Sequence, residues 1–344
     1  MGFDREILCN VTTSPESIPL THAQAIRSKD AMDKELATLT KKGTFELMPL
    51  PTGKWAIGCR WVFKFKVDQN GELRLHKARL VAKGYSQQHG VDYTETYAPV
   101  VKFKSLRLLV ALAAKEGFEC FQDDVEAAFL NGELHEEVWM DEPPGYETGR
   151  GKWLLKRPLY GLKQAPLEWN ARLDAYLKSI GFTPSSADAC IYSGMIGPEK
   201  VMLGVYVDDI VTVARNVEIA NKLRAKLKSE FAMSEGCQLS WCLGMHFERR
   251  KDGSYDIDQS LYLKRKLDEF AEFIGPGFQG MPLRPNFLQD LESAEKSQSV
   301  EPDFPYRAIV GSLMYAAIGT RPDIAAAVSI VSRYLHAPKA AHCE

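Results

Sequence analysis

The apolar residues of this chain recur with two different periods, which predicts a mixture of helices and strands. Over 22–39 they return at helical spacing, and Lys41-Lys42-Gly43 follows with cations and then a glycine, as helix ends commonly do. Two strand-like runs at 57–67 and 73–82 flank Asn70-Gly71, a dipeptide typical of a tight hairpin turn. The first part of the chain is therefore predicted to be a helix followed by a β-hairpin.

The rest of the chain shows the same two patterns. Helices are predicted over 105–114, 169–180, 217–231, 261–274 and most of 306–335. Strands are predicted over 44–47, 121–125, 153–159, 188–192, 241–247 and 255–258, and on both sides of a bend within 201–213.

The hairpin at 201–213 carries two adjacent carboxylates, Asp208 and Asp209, at its bend. Both flanking runs are apolar and β-branched, so the acids would stand at the tip of an otherwise buried element. Adjacent negative charges repel and are costly to desolvate unless a cation pairs with them. Oxygen ligands of this kind suit a hard divalent ion such as magnesium. The alternative is a solvated Asp-Asp turn on a surface hairpin.

A second acidic strand, at 121–125, favours the metal interpretation. It contains Asp123 and Asp124, and strand alternation directs these two side chains to opposite faces, so they cannot easily hold one metal together. With the Asp208-Asp209 hairpin, this strand supplies the material for a two-metal site. Two cations about 3.5–4 Å apart can clamp the attacking and leaving oxygens of an in-line phosphoryl transfer.

The charge is small overall but unevenly distributed. The chain has 344 residues, enough for two or three subdomains, and a net charge of −2. Between 60 and 107 there are ten Lys or Arg and four acids, a local charge of +6, among several aromatic residues. This pattern suits phosphate backbones and stacked bases, although a solvated strand face has the same composition. From 121 to 147 there are nine acids and no Lys or Arg, which fits carboxylates neutralised by cations beside a polyanion.

The cysteines and the hydropathy pattern exclude several classes of protein. The seven cysteines are scattered and form no C-x-x-C pair, which favours reduced thiols in a cytosolic or nuclear setting over a zinc site. No apolar run reaches the length of about 18 residues that a membrane span needs. The N-terminus lacks a secretory apolar segment, and Glu6 stands where a myristoylation signal needs Ser or Thr.

A set of motifs connects these features. In chain order they are Trp61-Val62-Phe63-Lys64, Lys77-Ala78-Arg79-Leu80-Val81-Ala82-Lys83-Gly84, Asp92-Tyr93-Thr94-Glu95-Thr96-Tyr97-Ala98-Pro99-Val100, Asp124-Val125-Glu126-Ala127-Ala128-Phe129-Leu130-Asn131-Gly132, Leu159-Tyr160-Gly161-Leu162-Lys163-Gln164-Ala165-Pro166, Tyr206-Val207-Asp208-Asp209, Leu243-Gly244, Gly311-Ser312-Leu313-Met314-Tyr315 and Thr320-Arg321-Pro322-Asp323. In these motifs the chain resembles the reverse transcriptase of Ty1/copia-type long-terminal-repeat retrotransposons, a segment of their Pol polyprotein. The motifs run in family order over residues 30–342, nearly the whole chain.

The resemblance implies an α+β right-hand polymerase of fingers, palm and thumb, with an antiparallel palm sheet and the start of a connection region. The implied division is fingers with an N-terminal arm at 1–100, palm at 101–132, fingers again at 133–166, palm again at 167–250, thumb at 251–304, and a helical thumb or connection segment at 305–344. Protease, integrase and RNase H segments of a full polyprotein are not expected within these residues. We therefore expect either a trimmed fragment or a host-adopted protein.

The resemblance also implies residue roles. Asp124 and Asp208 would be the principal ligands of two magnesium ions, or of manganese in their place, with Asp209 as the third carboxylate. Of the two acids on the first strand, Asp124 fits the family motif because Val-x-x-Ala-Phe follows it. Val125 would belong to both the metal-binding and the nucleotide-binding residues.

Further roles concern the nucleotide and the primer. Arg79, with Lys77 and Lys64, would contact the triphosphate, Gln164 the nucleotide, and Phe129 would act as a steric gate against a ribose 2′-hydroxyl. Leu243, Gly244 and Met245 would form the primer grip, although Trp241-Cys242 departs from the aromatic pair that usually precedes Leu-Gly in the family. Each role has a plain structural alternative: Phe129 as core, Gln164 as a loop cap, and Arg79 as a surface ion-pair partner.

The implied function is RNA-directed DNA polymerisation, in which a primer is extended on an RNA or DNA template by two-metal phosphoryl transfer. The implied partners are an RNA template, a DNA or RNA primer, an RNA/DNA hybrid and deoxynucleoside triphosphates, with no membrane partner. The expected location is cytoplasmic, within a virus-like particle for an active element, or nuclear. Two alternatives stay open at this point: a host-adopted, non-catalytic nucleic-acid-binding protein, and a DNA-templated polymerase or terminal transferase on the same palm. The sequence leaves the oligomeric state open.

Overall fold

The computed structural model describes residues 22–67, 73–275, 280–283 and 303–343, with the side chains of 22–28, 64–67, 73–76 and 341 left out. The described helices are α1 (His22–Lys41), α2 (Phe103–Glu116), α3 (Ala165–Ser179), α4 (Val217–Glu230), α5 (Ser260–Glu269), α6 (Tyr306–Gly319) and α7 (Ala325–Ser332). The described strands are β1 (Phe45–Met48), β2 (Cys59–Val67), β3 (Leu73–Ala82), β4 (Glu119–Asp124), β5 (Val138–Met140), β6 (Lys152–Leu155), β7 (Thr183–Pro184), β8 (Ile191–Ile196), β9 (Glu199–Tyr206), β10 (Asp209–Ala214), β11 (Cys237–Gln238), β12 (Trp241–Cys242), β13 (Met245–Arg249) and β14 (Tyr255–Asp258). The fold thus mixes helices and sheets, as expected.

The strands of the described residues form four sheets. Their strand orders are β1-β6-β5, β11-β4-β10-β9-β8-β7, β12-β13-β14 and β2-β3. Pairing is antiparallel in β2-β3, in β5-β6, in β8-β9 and between β13 and its two neighbours. The chain divides into two compact units, one containing 1–101, 123–210 and 222–235, and the other 102–122, 211–221 and 236–344. The proposed fingers, palm and thumb boundaries stay predictions.

The core of the first unit fixes the direction of side chains on β3. Ala78, Leu80 and Ala82 are buried on one face of the strand. Leu80 and Ala82 belong to an apolar cluster that also contains residues of α1, β2, β5 and β6. Because successive side chains alternate across a strand, Lys77 and Arg79 belong to the opposite face. Lys77 is exposed and Arg79 half-buried.

Several predicted elements are confirmed. The first helix runs from His22 to Lys41, and Gly43 follows it with φ +60°. Strand β3 has the predicted bounds and pairs with β2 as a hairpin, while the predicted Asn70-Gly71 turn lies outside the described residues. Helices α2 and α4 and strand β14 also match their predicted positions to within two residues.

Other predictions are wrong in detail. The predicted strand 241–247 is two strands, β12 and β13, joined by a turn at Leu243-Gly244. The predicted strand 153–159 ends at Leu155, and β8 begins later than predicted, at Ile191. The long C-terminal helix is interrupted by a 3-10 turn at Pro322–Ile324.

In the described ranges, no helix has the length and apolar character needed to cross a bilayer.

Candidate active site

The two adjacent aspartates at the end of β4 have different surroundings. Asp123 is buried and forms an ion pair with Arg224 of α4, whose side chain is also largely buried. Asp124 is only half-buried. The alternation of the strand therefore commits Asp123 to an internal pair and directs Asp124 to the other face.

Asp208 lies in the turn that joins β9 to β10, directly beside the end of β4. Its carbonyl oxygen accepts a hydrogen bond of 2.9 Å from the Val125 N–H. The preceding residue, Val207, has φ +56°, a left-handed conformation that is unfavourable for a β-branched side chain. The Val207 carbonyl accepts a 2.7 Å hydrogen bond from Nε1 of the buried Trp169. Contacts on both sides thus hold a turn that the backbone alone would not favour.

The carboxylates of Asp124 and Asp208 interact through their charges, and we call these two residues the acid pair. The pKa of Asp124 is raised above its ordinary value, first by burial and then by the negative charge of Asp208. Lys77 and Arg79 act in the opposite direction and lower that pKa. A partly desolvated pair of like charges is what a hard divalent cation relieves, so the donor set fits magnesium or manganese.

Asp209, the third predicted carboxylate, and Val125 are the remaining predicted metal-site residues. Asp209 begins β10 and is half-buried. Within the described ranges, no group of three His, Cys, Asp or Glu side chains converges closely enough to hold a metal ion. The structure thus brings Asp124 and Asp208 together without gathering Asp209 into the same cluster. The side chain of Val125 is buried, and its N–H is used by the Asp208 carbonyl.

Arg79 belongs to an aromatic cluster beside the acid pair. Its Cζ lies 4.5 Å from the ring centroid of Tyr160, and the Phe129 ring meets that of Tyr160 edge-on at 4.7 Å. The pKa of Tyr160 is raised, first by burial; the Arg79 charge lowers it, and Asp208 and Asp124 contribute to the increase. Arg79 Nε is buried and finds no hydrogen-bond partner among the described residues. An unpaired guanidinium donor beside carboxylates suits an oxyanion ligand.

Lys64 and Gln164 are the two remaining residues predicted to contact the nucleotide. Lys64 pairs with Lys77 in the β2–β3 register, but its side chain lies outside the described residues. Gln164 is fully buried, and its amide donates to the Asp92 carbonyl at 2.7 Å and accepts from Gln87 at 3.0 Å. In this arrangement its amide braces the loop at 87–92 rather than facing solvent, so a direct nucleotide contact by Gln164 stays an untested prediction.

The predicted primer-grip residues lie in the second unit, at a two-residue turn between β12 and β13. Leu243 and Gly244 both have positive φ, +51° and +71°. Leu243 is half-buried and Gly244 exposed, whereas the Met245 side chain is fully buried. Only the turn itself is therefore available for an outside ligand.

The family model described as "Reverse transcriptase (RNA-dependent DNA polymerase)" matches residues 42–275. The chain belongs to the reverse transcriptase family. The matched segment contains the acid pair, the Arg79–Tyr160–Phe129 cluster and the Leu243-Gly244 turn.

Relatives of this family member are Ty1/copia-type retrotransposon polyproteins. It is 36% identical to the Pol polyprotein from transposon TNT 1-94 of Nicotiana tabacum over 98% of this chain and 26% of the relative. It is 36% identical to that from transposon RE1 of Arabidopsis thaliana over 97% of this chain and 23% of the relative. The putative transposon Ty5-1 protein of Saccharomyces cerevisiae is 30% identical over 64% of this chain and 71% of its own length. The chain spans about a quarter of the length of the first two relatives.

A solved structure of apo telomerase from Candida tropicalis, truncated from the C-terminal domain, overlaps 68% of this reverse transcriptase chain and 60% of the telomerase chain. The TM-score is 0.36 and the identity 8%. A likeness at that level supports no conclusion about this chain.

Sequence reasoning missed the places of Tyr160 and Trp169 in this candidate site. Tyr160 lies within a quoted motif, but an aromatic residue before a glycine carries no signal that it will stack under an arginine from β3. Trp169 has the apolar spacing of an ordinary helix core residue. Its hydrogen bond to Val207 depends on tertiary placement alone.

Proposed function

We propose that this chain is an RNA-directed DNA polymerase that extends a primer on an RNA or DNA template. The observation that carries the proposal is the acid pair. Asp124 and Asp208 come from separate segments, and the pKa of Asp124 is raised by its burial and by the negative charge of Asp208. Bound cations relieve the repulsion within such a like-charge pair, and the cations can then take part in phosphoryl transfer. Membership of the reverse transcriptase family supports the same reaction.

Asp124 and Asp208 would hold the metal ions, with Asp209 and the backbone at Val125 beside them. Two magnesium ions, or manganese in their place, would activate the primer 3′-hydroxyl and neutralise charge on the triphosphate. Asp123 takes no part in this site because its carboxylate pairs with Arg224.

The residues around the acid pair would bind and orient the nucleotide. Arg79, with Lys77 and Lys64, supplies positive charge for the triphosphate, and the Tyr160 ring beneath Arg79 limits the directions in which that guanidinium can point. Phe129, edge-on to Tyr160, has only bulk and a ring face to present to the sugar. Gln164 would act on this site through the loop at 87–92 that it braces.

Nucleic acid would be held at two further places. The Leu243-Gly244 turn, with Met245 behind it, would contact the primer. Phosphates of the duplex would lie against the basic surface of 60–107 and the polar side of the predicted helix 261–274, of which α5 is the regular part.

Primer extension separates this function from its alternatives. The purified chain is given a labelled DNA primer on an RNA template, on a DNA template and on no template, with deoxynucleoside triphosphates and magnesium and then manganese. Extension on the RNA template supports the proposal. Extension on DNA templates alone identifies a DNA-templated polymerase, untemplated addition identifies a terminal transferase, and binding without extension identifies a non-catalytic nucleic-acid-binding protein.

A further inference from the structure

The Leu243-Gly244 turn has a conformation that its sequence does not favour. Cys242 pairs with Met245, so Leu243 and Gly244 form a two-residue hairpin loop. Both have positive φ, which such turns normally achieve with Asn, Asp or Gly at the first position. A leucine there needs support from outside the hairpin.

Tyr315 of α6 supplies that support. Its hydroxyl donates a hydrogen bond to the Leu243 carbonyl. The same hydroxyl closes the space over Gly244, where a Cβ would overlap the Tyr315 oxygen. The Tyr315 hydroxyl oxygen therefore forms a hydrogen bond with the carbonyl of Leu243 and leaves no room for a side chain at position 244.

The Tyr315 ring is itself held in place by neighbours within the second unit. Tyr262 of α5 packs edge-on against it at 4.7 Å, and Phe103 of α2 lies at 6.1 Å. Tyr262 in turn donates a 3.1 Å hydrogen bond to the Ser312 carbonyl, one turn before Tyr315 on α6. These contacts leave the hydroxyl little freedom, so it can act as a fixed stop for the turn.

The outer side of the hairpin is open to a ligand. Gly244 is exposed, and the neighbouring residue Trp241 is 45% exposed. That indole packs against His246 at 4.9 Å, and His246 is paired with Asp258 at 3.0 Å. An ordered turn beside a supported, exposed aromatic ring suits a nucleic-acid strand, which contacts backbone groups and stacks on rings.

We propose that Tyr315 is a positioning residue that holds the Leu243-Gly244 turn in the shape that grips the primer strand. The proposal rests on the proposed function, because it takes the turn as the primer contact. Tyr315 itself touches neither primer nor nucleotide. It acts through the carbonyl of Leu243 and the space over Gly244.

The first experiment compares Tyr315→Phe with Tyr306→Phe. Tyr306 lies on the same helix and its hydroxyl also donates to a backbone carbonyl, that of Val331 at 2.8 Å, far from the turn in sequence. The measurements are the Kd for a fluorescent primer–template in the absence of nucleotide, the single-turnover rate on bound primer–template, and the melting temperature. Tyr315→Phe should weaken primer–template binding about fivefold, the effect of one net hydrogen bond. It should leave the single-turnover rate within about twofold, and Tyr306→Phe should leave the Kd unchanged.

The second experiment is a double-mutant cycle with Gly244→Ala. Alone, this change drives a methyl group into the Tyr315 hydroxyl and should weaken primer–template binding more than Tyr315→Phe does. With Tyr315→Phe in the same chain the obstructing oxygen is absent, so the double variant should bind better than Gly244→Ala alone. Such coupling is expected of groups in contact and not of independent losses of stability.

The outcomes are distinct. If the wild-type chain extends primers and Tyr315→Phe binds primer–template as tightly as wild type, the role of Tyr315 is overturned and the polymerase function stands. Equal weakening by Tyr315→Phe and Tyr306→Phe, or additive losses in the cycle, also overturns it. A wild-type chain that neither binds nor extends a primer–template removes the proposed function and this role together.

Discussion

Asp123 forms a buried ion pair with Arg224, while its neighbour Asp124 lies on the other face of the strand, where the charge of Asp208 raises its pKa. Two consecutive acids on one strand thus serve different purposes. The first connects the strand to α4, and the second belongs to the candidate metal site. This difference in surroundings leads to opposite expectations for the two aspartates.

Asp123→Ala should destabilise the protein, whereas Asp124→Ala should not. Removing Asp123 leaves the Arg224 charge in a largely buried position, which costs about 3–5 kcal/mol in the free energy of unfolding. Removing Asp124 relieves its repulsion with Asp208, so stability in metal-free buffer should be unchanged or slightly higher. Denaturant unfolding of both variants checks this. A stable Asp123→Ala variant would show that the pair with Arg224 contributes little.

Arg79→Ala should weaken nucleotide use selectively. If the guanidinium, whose Nε has no hydrogen-bond partner among the described residues, faces the triphosphate, KM for the deoxynucleoside triphosphate should rise about 10- to 100-fold. That range is the one expected for charge-assisted hydrogen bonds. Tyr160→Phe keeps the ring under the guanidinium and should change KM little, whereas Tyr160→Leu should raise it. Steady-state kinetics give KM, and primer–template Kd is the control that should stay constant. A KM unchanged in Arg79→Ala would support the alternative in which Arg79 is a surface ion-pair partner.

Phe129→Ala tests sugar selection. If the ring fills the space of a 2′-hydroxyl, overlap of that kind costs about 1–3 kcal/mol, so discrimination of roughly 10- to 100-fold could rest on this residue. The variant should then accept ribonucleotides much better, with deoxynucleotide use only modestly reduced. If Phe129 only packs against Tyr160 and the core, the change should cost about 3–5 kcal/mol of stability and leave the ratio alone. The ratio of ribo- to deoxynucleotide incorporation, measured with melting on the same variant, distinguishes the two.

Duplex binding should weaken steeply with salt, because neutralised phosphates release counterions. We expect the exposed Lys104 in the 60–107 surface and Lys264 in the 261–274 helix to contact phosphates. Lys104→Gln and Lys264→Gln should each reduce the slope of log K against log salt by about 1. Lys178→Gln, on α3 and paired with an acid of its own helix, should leave the slope unchanged. An affinity that stays flat between low and moderate salt contradicts the prediction.

The parts of the fold that the sequence predicted best are those decided by local periodicity. The strand 73–82 alternates regularly over 78–82, and its bounds were predicted to the residue. The opposite directions of Asp123 and Asp124 follow from the same rule. The first helix could be predicted because its apolar stripe and its Lys41-Lys42-Gly43 ending agree.

The parts that could not be predicted depend on residues distant in sequence. The turn at Leu243-Gly244 lacks the usual first residue of such turns, because Tyr315 stabilises it from another helix. The surroundings of Gln164 are likewise set by Gln87 and Asp92. Residue spacing along the chain does not predict such contacts. The sequence therefore predicted a continuous strand at 241–247 and a nucleotide contact for Gln164.

The most direct test of the central claim is primer extension on an RNA template by Asp208→Asn beside wild type, in magnesium. The variant keeps the shape of the turn but loses one charge of the acid pair. Asp174→Asn, on α3 and paired with Lys178, serves as the control and should retain wild-type rates.

The account predicts that Asp208→Asn extends the primer about 10³-fold more slowly, because several kcal/mol of charge stabilisation are lost, and that it binds the primer–template as tightly as wild type. Extension by Asp208→Asn at the wild-type rate would contradict the assignment of the acid pair as the metal site.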